Sequence, residues 1–208
     1  MLYVGGFCEG GLRGTLRNED YSVKIAVLAL QGAFVEHEAV LRQLGHTPFE
    51  VRKLEDWNQP KDGLILPGGE STTMMRLLKD EGLFEPIRQE ILAGLPVMGT
   101  CAGMILLAKD RLECMDIEVL RNAYGRQLGS FNTVGRVDEV GEDVLMTFIR
   151  APYIQSYQES VRPLAVVDGR TVAARQGNRI ACSFHPELTD DTRWHRYFLR
   201  ICETKDKQ

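Results

Sequence analysis

The sequence predicts an α/β fold in which helices cover both faces of a mostly parallel sheet. Three observations predict it. Short apolar runs of the kind found in buried strands alternate with segments whose apolar residues recur at helical spacing. Glycine or proline follows several of these runs, as expected where strands and helices end. The second half of the chain changes to short strand candidates separated by tight turns, which indicates antiparallel additions to the sheet and not a second domain.

The first half supplies the alternating elements. Val23–Leu30 is apolar on both faces after Lys24, which suits a buried parallel strand. Phe34–Leu44 has helical spacing, and Gly45 is a candidate C-cap. Ser71 is a candidate N-cap for the helix that follows the third strand. The other candidates in this half are strands Pro48–Val51, Gly63–Leu66 and Val97–Thr100 and helices Ser71–Glu81, Leu83–Ala93 and Gly103–Lys109.

The second half reads as short strands and one closing helix. Turns are predicted at Val140–Glu142 and at Asp168–Gly169. The helix Thr192–Glu203 closes the domain, with Trp194 and Phe198 on its inner face. The strand candidates are Ile117–Leu120, Ser130–Val137, Val144–Ile149, Leu164–Val167, Thr171–Gln176 and Ile180–Ser183.

Composition excludes several classes of function. The 208 residues suit one domain, which buries about 70% of the surface that its unfolded chain exposes. The net charge of −4 gives no electrostatic case for binding nucleic acid or an anionic membrane, and no apolar run approaches a membrane span. The five cysteines include no CxxC pair, so neither a disulfide framework nor a zinc site is supported. We expect no metal and no cofactor. Free thiols fit a reducing cytoplasm.

The termini differ from the rest of the chain. Residues 1–22 contain five glycines, mixed charges and no periodicity, and they lack the apolar core of a signal peptide. We therefore expect a disordered extension at 1–22, a folded domain at 23–204 and a short tail at 205–208.

The string GTCAGM at Gly99–Met104 carries the first chemical signal. An apolar strand runs into a turn that holds Cys101 between small residues, and a helix candidate follows. This order resembles the strand–nucleophile–helix turn of hydrolases, with cysteine in place of serine. A helix N-terminus favours the thiolate form. Taken alone, a cysteine after a strand is more often a small core residue.

The string FHPE at Phe184–Glu187 supplies the complementary groups. His185 is a candidate base, and Glu187, two residues on, is a candidate carboxylate to orient it. An extended backbone would place both side chains on one side. A lone histidine before a proline is more often a turn residue, but with Cys101 the three complete an activated-nucleophile site.

The loop Leu66–Ser71 makes that site more credible. It joins a strand to a helix, and its glycines allow backbone N–H groups to approach a ligand closely. Ligands of open α/β sheets bind at the carboxyl ends of strands, where Cys101 is also expected. Gly69 and Ala102 are therefore candidate donors of an oxyanion hole. The loop is not a P-loop, because no GK[ST] follows.

Together these strings resemble the class I, triad-type glutamine amidotransferases. Several longer strings in the chain are similar to those of the glutaminase subunits of pyridoxal 5′-phosphate synthases. The strings that carry the resemblance are VLALQGAFVEH, PGGESTTM, GTCAGM, RNAYGRQ, FIRAP and SFHPELT, which begin at residues 27, 67, 99, 121, 148 and 183.

The resemblance implies a flavodoxin-like fold and the hydrolysis of L-glutamine to glutamate and ammonia. It implies a hetero-oligomer in which the ammonia passes to a synthase subunit for vitamin B6 biosynthesis. Cys101 carries over as nucleophile, His185 as base and Glu187 as orienter. The implied glutamine contacts are Gly69, Glu70, Ser71, Arg121, Ile149 and Arg150. Arginine suits this role because it pairs a carboxylate bidentately.

The chain departs from the family pattern in one place. Family members usually carry a longer loop before RNAYGRQ, whereas only Asp110–Leu120 intervenes here. The rival functions are a glutaminase of the same fold that serves another synthase, such as imidazole glycerol phosphate synthase, a stand-alone cysteine hydrolase, and a non-catalytic binding protein. ALQG, RNAYGRQ and FIRAP argue against the first. The intact Cys101, His185 and Glu187 argue against the last.

Overall fold

The computed structural model describes residues 22–121 and 130–204. The predicted extension lies outside this range except for Ser22, whose hydroxyl lies 3.0 Å from the Thr47 hydroxyl in a hydrogen bond. The predicted tail at 205–208 and the RNAYGRQ string after Arg121 also lie outside it. Within the described residues, no helix is both long and apolar enough to cross a bilayer.

The described residues form eleven strands, six α-helices and one 3₁₀ turn. The strands are β1 Lys24–Leu28, β2 Thr47–Val51, β3 Gly63–Leu66, β4 Val97–Thr100, β5 Ile117–Leu120, β6 Ser130–Val137, β7 Gly141–Ile149, β8 Tyr153–Tyr157, β9 Arg162–Val167, β10 Arg170–Gln176 and β11 Arg179–Cys182. The helices are α1 Phe34–Gln43, α2 Leu54–Trp57, α3 Ser71–Asp80, α4 Phe84–Leu92, α5 Ala102–Leu107 and α6 Arg193–Thr204, and the 3₁₀ turn is Pro186–Leu188.

The main sheet has the order β2-β1-β3-β4-β11-β10-β8-β5. Its first five strands are parallel, and β10, β8 and β5 continue it in antiparallel fashion. Strand β9 also pairs with β10. The order of the parallel strands is the flavodoxin-like one, so the prediction of a mostly parallel α/β sheet with antiparallel members is confirmed.

The strands bury side chains on both faces because successive residues point to opposite sides. In β1, Ala26 and Leu28 pack into one core cluster with α3, α4 and α5. Ile25 and Val27 pack into the other, with α1, α6 and β7. This double burial explains the continuous apolar run in the sequence.

Three predictions about the second half were wrong in detail. Strand β11 is not an antiparallel addition: it pairs with β4 in parallel and completes the central sheet. Strands β6 and β7 do not join the main sheet but form a separate two-stranded ribbon. The ribbon packs on the sheet through Val144, Met146 and Phe148, whose side chains are buried. The turn of the ribbon lies at 138–140, two residues before the predicted position.

Local signals explain the remaining differences. Ser71 is the first residue of α3 and not its cap; Glu70 precedes the helix in an extended conformation. Strand β8 was missed because its side chains are mostly exposed, so it lacks an apolar alternation. Helix α2 has a single turn, too short to show periodicity. The short Asp110–Leu120 segment makes a turn and then forms β5, the outer strand of the sheet.

Candidate active site

The turn between β4 and α5 holds Cys101 in a strained conformation. Cys101 has φ 49° and ψ −101°, a region that residues with a Cβ rarely occupy. Its backbone N–H donates to the Cys182 carbonyl at 2.8 Å, which ties the turn to the end of β11. A nucleophile on such a turn projects its side chain out of the end of the sheet.

Glycine is required where α5 packs on the sheet. A Cβ atom at Gly103 would lie 1.9 Å from the Leu66 carbonyl oxygen, and one at Gly99 would lie 2.7 Å from the Gly103 carbonyl carbon. Neither position tolerates a side chain without moving backbone. The small residues that flank Cys101 in the sequence therefore bring the helix directly against β3 and β4.

His185 and Glu187 form a close pair beyond β11. The His185 backbone N–H donates to the Thr147 carbonyl at 2.8 Å, and His185 Nδ1 lies 2.6 Å from Glu187 Oε1. The segment is not extended as predicted, because Pro186–Leu188 forms a 3₁₀ turn. The turn still brings the two side chains together, and the Glu187 side chain is fully buried.

Charge stabilises the protonated form of His185. Burial opposes that form, but hydrogen bonds with Cys101 and Glu187 outweigh burial and raise the pKa of His185 to about 10. Burial would also raise the pKa of Glu187, yet the hydrogen bond and the charge of His185 help to hold it below its usual value. His185 is therefore a charged proton donor in the wall of the cavity that Cys101 also lines.

Two other cysteines have environments that disfavour a thiolate. Burial, followed by the charges of Glu187 and Cys101, raises the pKa of Cys182 well above its ordinary value. Its thiol donates to the Phe184 carbonyl at 3.3 Å. Burial raises the pKa of Cys114 to about 11, despite the nearby Arg179.

A cavity of about 310 Å³ opens above Cys101. It brings together every candidate site residue except Glu187, which lies behind His185. The predicted residues in its wall are Gly69, Glu70, Ser71, Cys101, Ala102, Arg121, Ile149, Arg150 and His185. The cavity lies at the carboxyl ends of β3 and β4, where the loops of an open α/β sheet bind ligands.

Two exposed arginines give the cavity mouth its charge pattern. Arg150 has φ 45° and places its guanidinium 3.3 Å from the Glu70 carboxylate. Arg121 lies 3.4 Å from the Thr72 hydroxyl, to which it donates. A carboxylate and two guanidinium groups at one opening match a zwitterionic amino acid, which carries both charges on its α-carbon.

Sequence reasoning missed three residues in the cavity wall and a polar cluster behind it. The wall residues are Gln31, Ile105 and Pro152. Gln31 Oε1 accepts the Glu70 N–H at 2.7 Å, so it braces the glycine-rich loop. Gln31 comes three residues after the last residue of β1, and this position at the carboxyl end of a parallel strand could have indicated a ligand contact.

The polar cluster behind the triad consists of His37, Thr100 and His195, all fully buried. His37 Nε2 lies 3.1 Å from the Thr100 hydroxyl and 3.4 Å from Glu187 Oε2, while His37 Nδ1 lies 2.9 Å from His195 Nε2. The cluster therefore reaches the candidate triad through the second oxygen of Glu187.

Comparison with known proteins identifies relatives of this chain. The sequence profile of the SNO glutamine amidotransferase family matches residues 27–204. The pyridoxal 5′-phosphate synthase subunit PdxT of Streptococcus pneumoniae serotype 2 (strain D39) is 54% identical over 193 residues, which cover 88% of this chain and 100% of that protein. The PdxT subunit of S. pneumoniae strain TIGR4 matches equally well.

Solved structures show the same fold. A crystal structure described as a glutamine amidotransferase superposes with a TM-score of 0.81 at 42% identity, and the match covers 86% of this chain and 98% of that one. A glutamine amidotransferase from Thermotoga maritima superposes with a TM-score of 0.58 at 18% identity, covering 90% of this chain and 87% of that one. The latter likeness concerns the fold alone.

Proposed function

The chain belongs to the SNO glutamine amidotransferase family, and we propose that it is the glutaminase subunit of a pyridoxal 5′-phosphate synthase. It hydrolyses L-glutamine to L-glutamate and ammonia and supplies the ammonia to a synthase subunit. One observation carries the proposal: a cysteine on a strained strand–helix turn lines the same cavity as a histidine whose Nδ1 lies 2.6 Å from a buried carboxylate. This is the arrangement of an activated thiol nucleophile.

The first half-reaction is acylation. Cys101 Sγ attacks the side-chain amide carbon of glutamine, and the carbonyl oxygen takes up negative charge. The N–H groups of Gly69 and Ala102 stabilise that oxyanion; one such donor is worth about 10²–10³ in rate. The amide nitrogen then takes a proton from His185 and leaves as ammonia, so that a thioester joins glutamate to Cys101.

Deacylation reverses the roles. Neutral His185 removes a proton from water, which attacks the thioester carbon, and the Cys101 thiolate leaves as the imidazolium re-forms. Glutamate is released and the enzyme regains its starting charge state. Glu187 stays ionised throughout and stabilises each imidazolium through Nδ1–H.

The cavity mouth holds the α-carbon end of the substrate. Arg121 and Arg150 pair with the α-carboxylate, and Gly69, Glu70, Ser71 and Ile149 contact the remainder. A carboxylate at Glu70 is suited to the α-ammonium group. The Glu70–Arg150 ion pair supports this assignment, because the two side chains already face each other across the opening at 3.3 Å.

The synthase subunit controls the reaction. Ammonia released without an acceptor is lost to solvent, so hydrolysis by the isolated chain is wasteful. The glycines of the loop Pro67–Gly69 allow its peptides to reorient at little steric cost, but the Ala33 N–H holds the Gly68 carbonyl at 3.0 Å. A partner docked over the carboxyl end of the sheet shifts this contact and aligns the Gly69 N–H. A catalytic free thiol persists in the cytoplasm, where we place the complex.

The test is glutamate release by the full chain, with and without the synthase subunit, and with Cys101→Ala as the blank. Turnover rises at least about tenfold with the partner, which corresponds to about 1.4 kcal/mol in the barrier. Full activity of the isolated chain, unchanged by the partner, favours a stand-alone hydrolase. Stimulation by the cyclase subunit of imidazole glycerol phosphate synthase instead identifies the rival glutaminase. If no glutamate is released under any condition, the remaining explanation is a non-catalytic binding protein.

A further inference from the structure

We propose that His37 is a positioning residue for the candidate triad, and that it holds the second oxygen of Glu187 while the first oxygen pairs with His185. The inference rests on the proposed function. His37 belongs to α1, far from the triad in sequence, and its side chain does not line the cavity. It therefore acts through Glu187 and not on the substrate.

The starting point is the uneven environment of the Glu187 carboxylate. Oε1 lies 2.6 Å from His185 Nδ1. Oε2 is buried and has no hydrogen bond within the described residues; it faces His37 Nε2 at 3.4 Å. A buried carboxylate oxygen is costly unless a donor faces it. An N–H at His37 Nε2 meets that need with a small shift of either side chain.

The hydrogen-bond chain assigns that proton to Nε2. His37 Nδ1 lies 2.9 Å from His195 Nε2, so one of these two nitrogens donates to the other. If His195 donates, His37 carries its proton on Nε2, which faces the Thr100 hydroxyl and Glu187. The opposite tautomers place a bare lone pair of His37 against an ionised carboxylate.

The unpartnered nitrogen of His195 supports the same assignment. His195 Nδ1 is buried and makes no hydrogen bond within the described residues. With His195 Nε2 as donor, this orphan atom is a lone pair. With the opposite tautomers it is an N–H, and orphaned buried N–H groups are rare. The hydrogen bond that His195 Nε2 donates to His37 Nδ1 thus determines the tautomer of His37.

Both histidines remain neutral in this arrangement. Burial lowers the pKa of His37, although the Glu187 charge opposes the shift, and burial with the neighbouring His37 lowers the pKa of His195 well below its usual value. A neutral His37 supplies a dipole and no charge. The full negative charge of Glu187 therefore stays available to the His185 imidazolium.

The groups that face His37 come from several elements. His195 lies on α6, Thr100 on β4, and Glu187 and His185 lie at the 3₁₀ turn, while Glu36 precedes His37 on its own helix. Loss of the His37 donor raises the free-energy cost of keeping the buried Glu187 carboxylate ionised. It thereby weakens the imidazolium of His185 and the thiolate that pairs with it.

Two variants of His37 place a side-chain amide at different distances from the backbone, and together they distinguish a positioning role of His37 from a packing role. In His37→Asn the amide ends near the position of Nδ1, so it keeps a contact with His195 and loses the donor to Glu187. In His37→Gln the amide reaches the position of Nε2. The destabilising control is Leu41→Ala, a buried residue of the same helix that packs in the core and lies outside the polar cluster.

The first readout is kinetic, measured on the full chain with the synthase subunit present. We expect His37→Asn to lower kcat at least about tenfold with KM within about twofold, and His37→Gln to recover most of the loss. The second is the rate of Cys101 alkylation by iodoacetamide as a function of pH. Its midpoint should move to higher pH in His37→Asn and return in His37→Gln. Leu41→Ala should lower the melting temperature and change neither.

Two results would overturn the inference. One is an alkylation profile that is the same for His37→Asn and wild type. The other needs no variant: nitrogen-15 NMR of the wild-type chain should show His37 as the Nε2–H tautomer, and an Nδ1–H tautomer or an imidazolium rejects it. Alkylation and NMR require no glutamine turnover. Failure of the proposed function, seen as no glutamate release by wild type, is therefore distinct from failure of this inference.

Discussion

Gly68 lies directly against the imidazole ring of His185. A Cβ atom added at position 68 would stand 2.3 Å from His185 Cε1 and 2.9 Å from Nδ1, well inside the contact distance of about 3.5 Å. The ring has little room to retreat because Glu187 holds its Nδ1 at 2.6 Å. A side chain on the loop that follows β3 would therefore displace the candidate base.

Gly68→Ala should lower kcat for glutamate release about 100-fold, because a misplacement of about 1 Å at a catalytic group costs that much. Steady-state kinetics with the synthase subunit measure it. The matched control is Gly135→Ala in β6, where the added Cβ meets only the end of the Met146 side chain at 3.0 Å. Equal activity of the two variants would contradict the close approach.

Cys101 should be the thiol that a glutamine-mimicking electrophile labels fastest. It lines the cavity beside His185, whereas burial raises the pKa of Cys114 to about 11 and that of Cys182 well above its ordinary value. Peptide mapping after brief labelling measures the distribution. Cys101→Ala should abolish glutamine hydrolysis and leave the melting temperature near that of wild type. Label found mainly on Cys114 or Cys182 would refute the assignment.

His185→Asn and Glu187→Gln should differ in severity. The first removes the group that transfers protons to and from the reacting atoms, so nearly all activity is lost. The second keeps a side chain that orients the ring but removes the charge that stabilises the imidazolium, so the loss is smaller. Parallel measurements of kcat rank the two variants. Mild and equal losses would show that neither residue acts as proposed.

The His185 imidazolium should make folding stability depend on pH. Its pKa is about 10 in the folded chain and about 6.5 when unfolded, so the folded state binds the proton more tightly. The resulting stabilisation is complete below about pH 6.5 and disappears as pH rises towards about 10. Urea unfolding of wild type and His185→Gln across this window measures the difference in unfolding free energy. That difference should shrink with rising pH; growth would reject the charged histidine.

Deletion of residues 1–22 should leave the melting temperature and the glutaminase rate nearly unchanged. The segment lacks the apolar content needed to offset its ordering entropy. The deletion also removes Ser22, whose hydrogen bond to Thr47 is exposed and contributes little. Thermal unfolding and glutamate release of the truncated and full chains provide the comparison. A loss of several degrees would show that the extension packs on the domain.

The strands that bury both faces were predictable from sequence, and the polar residues behind the site were not. Strands β3 and β4 match their predicted bounds because each is a short, mostly apolar run, which Pro67 and Gly68 follow in β3 and the small residues of the Cys101 turn follow in β4. Strand β8 was not predicted, because its mostly exposed residues show no alternation of apolar and polar side chains. Buried strands were predicted and an exposed strand was not, because a pattern of apolar residues indicates which side chains are buried.

The candidate triad was predictable because local strings carry it, whereas the role of His37 depends on distant parts of the chain. Its spacing with Leu41 fits a core position on a helix, and burial of both residues agrees. The polar partners of His37 come from β4, α6 and the 3₁₀ turn. Only the sheet order brings those elements together, and no local pattern in the sequence encodes it.

The parallel pairing of β4 with β11 has an evolutionary consequence. Cys101 follows one of these strands and His185 follows the other, and the Cys101 N–H bonds directly to the Cys182 carbonyl. Everything between them in the chain, from α5 to β10, is an excursion that leaves this pair and returns to it. Loops of the excursion can lengthen, shorten or diverge while the spacing between nucleophile and base stays constant. The pairing thus fixes the nucleophile relative to the base whatever the length of those loops, whereas the parts of the excursion that carry Arg121, Ile149 and Arg150 in the cavity wall must keep their places.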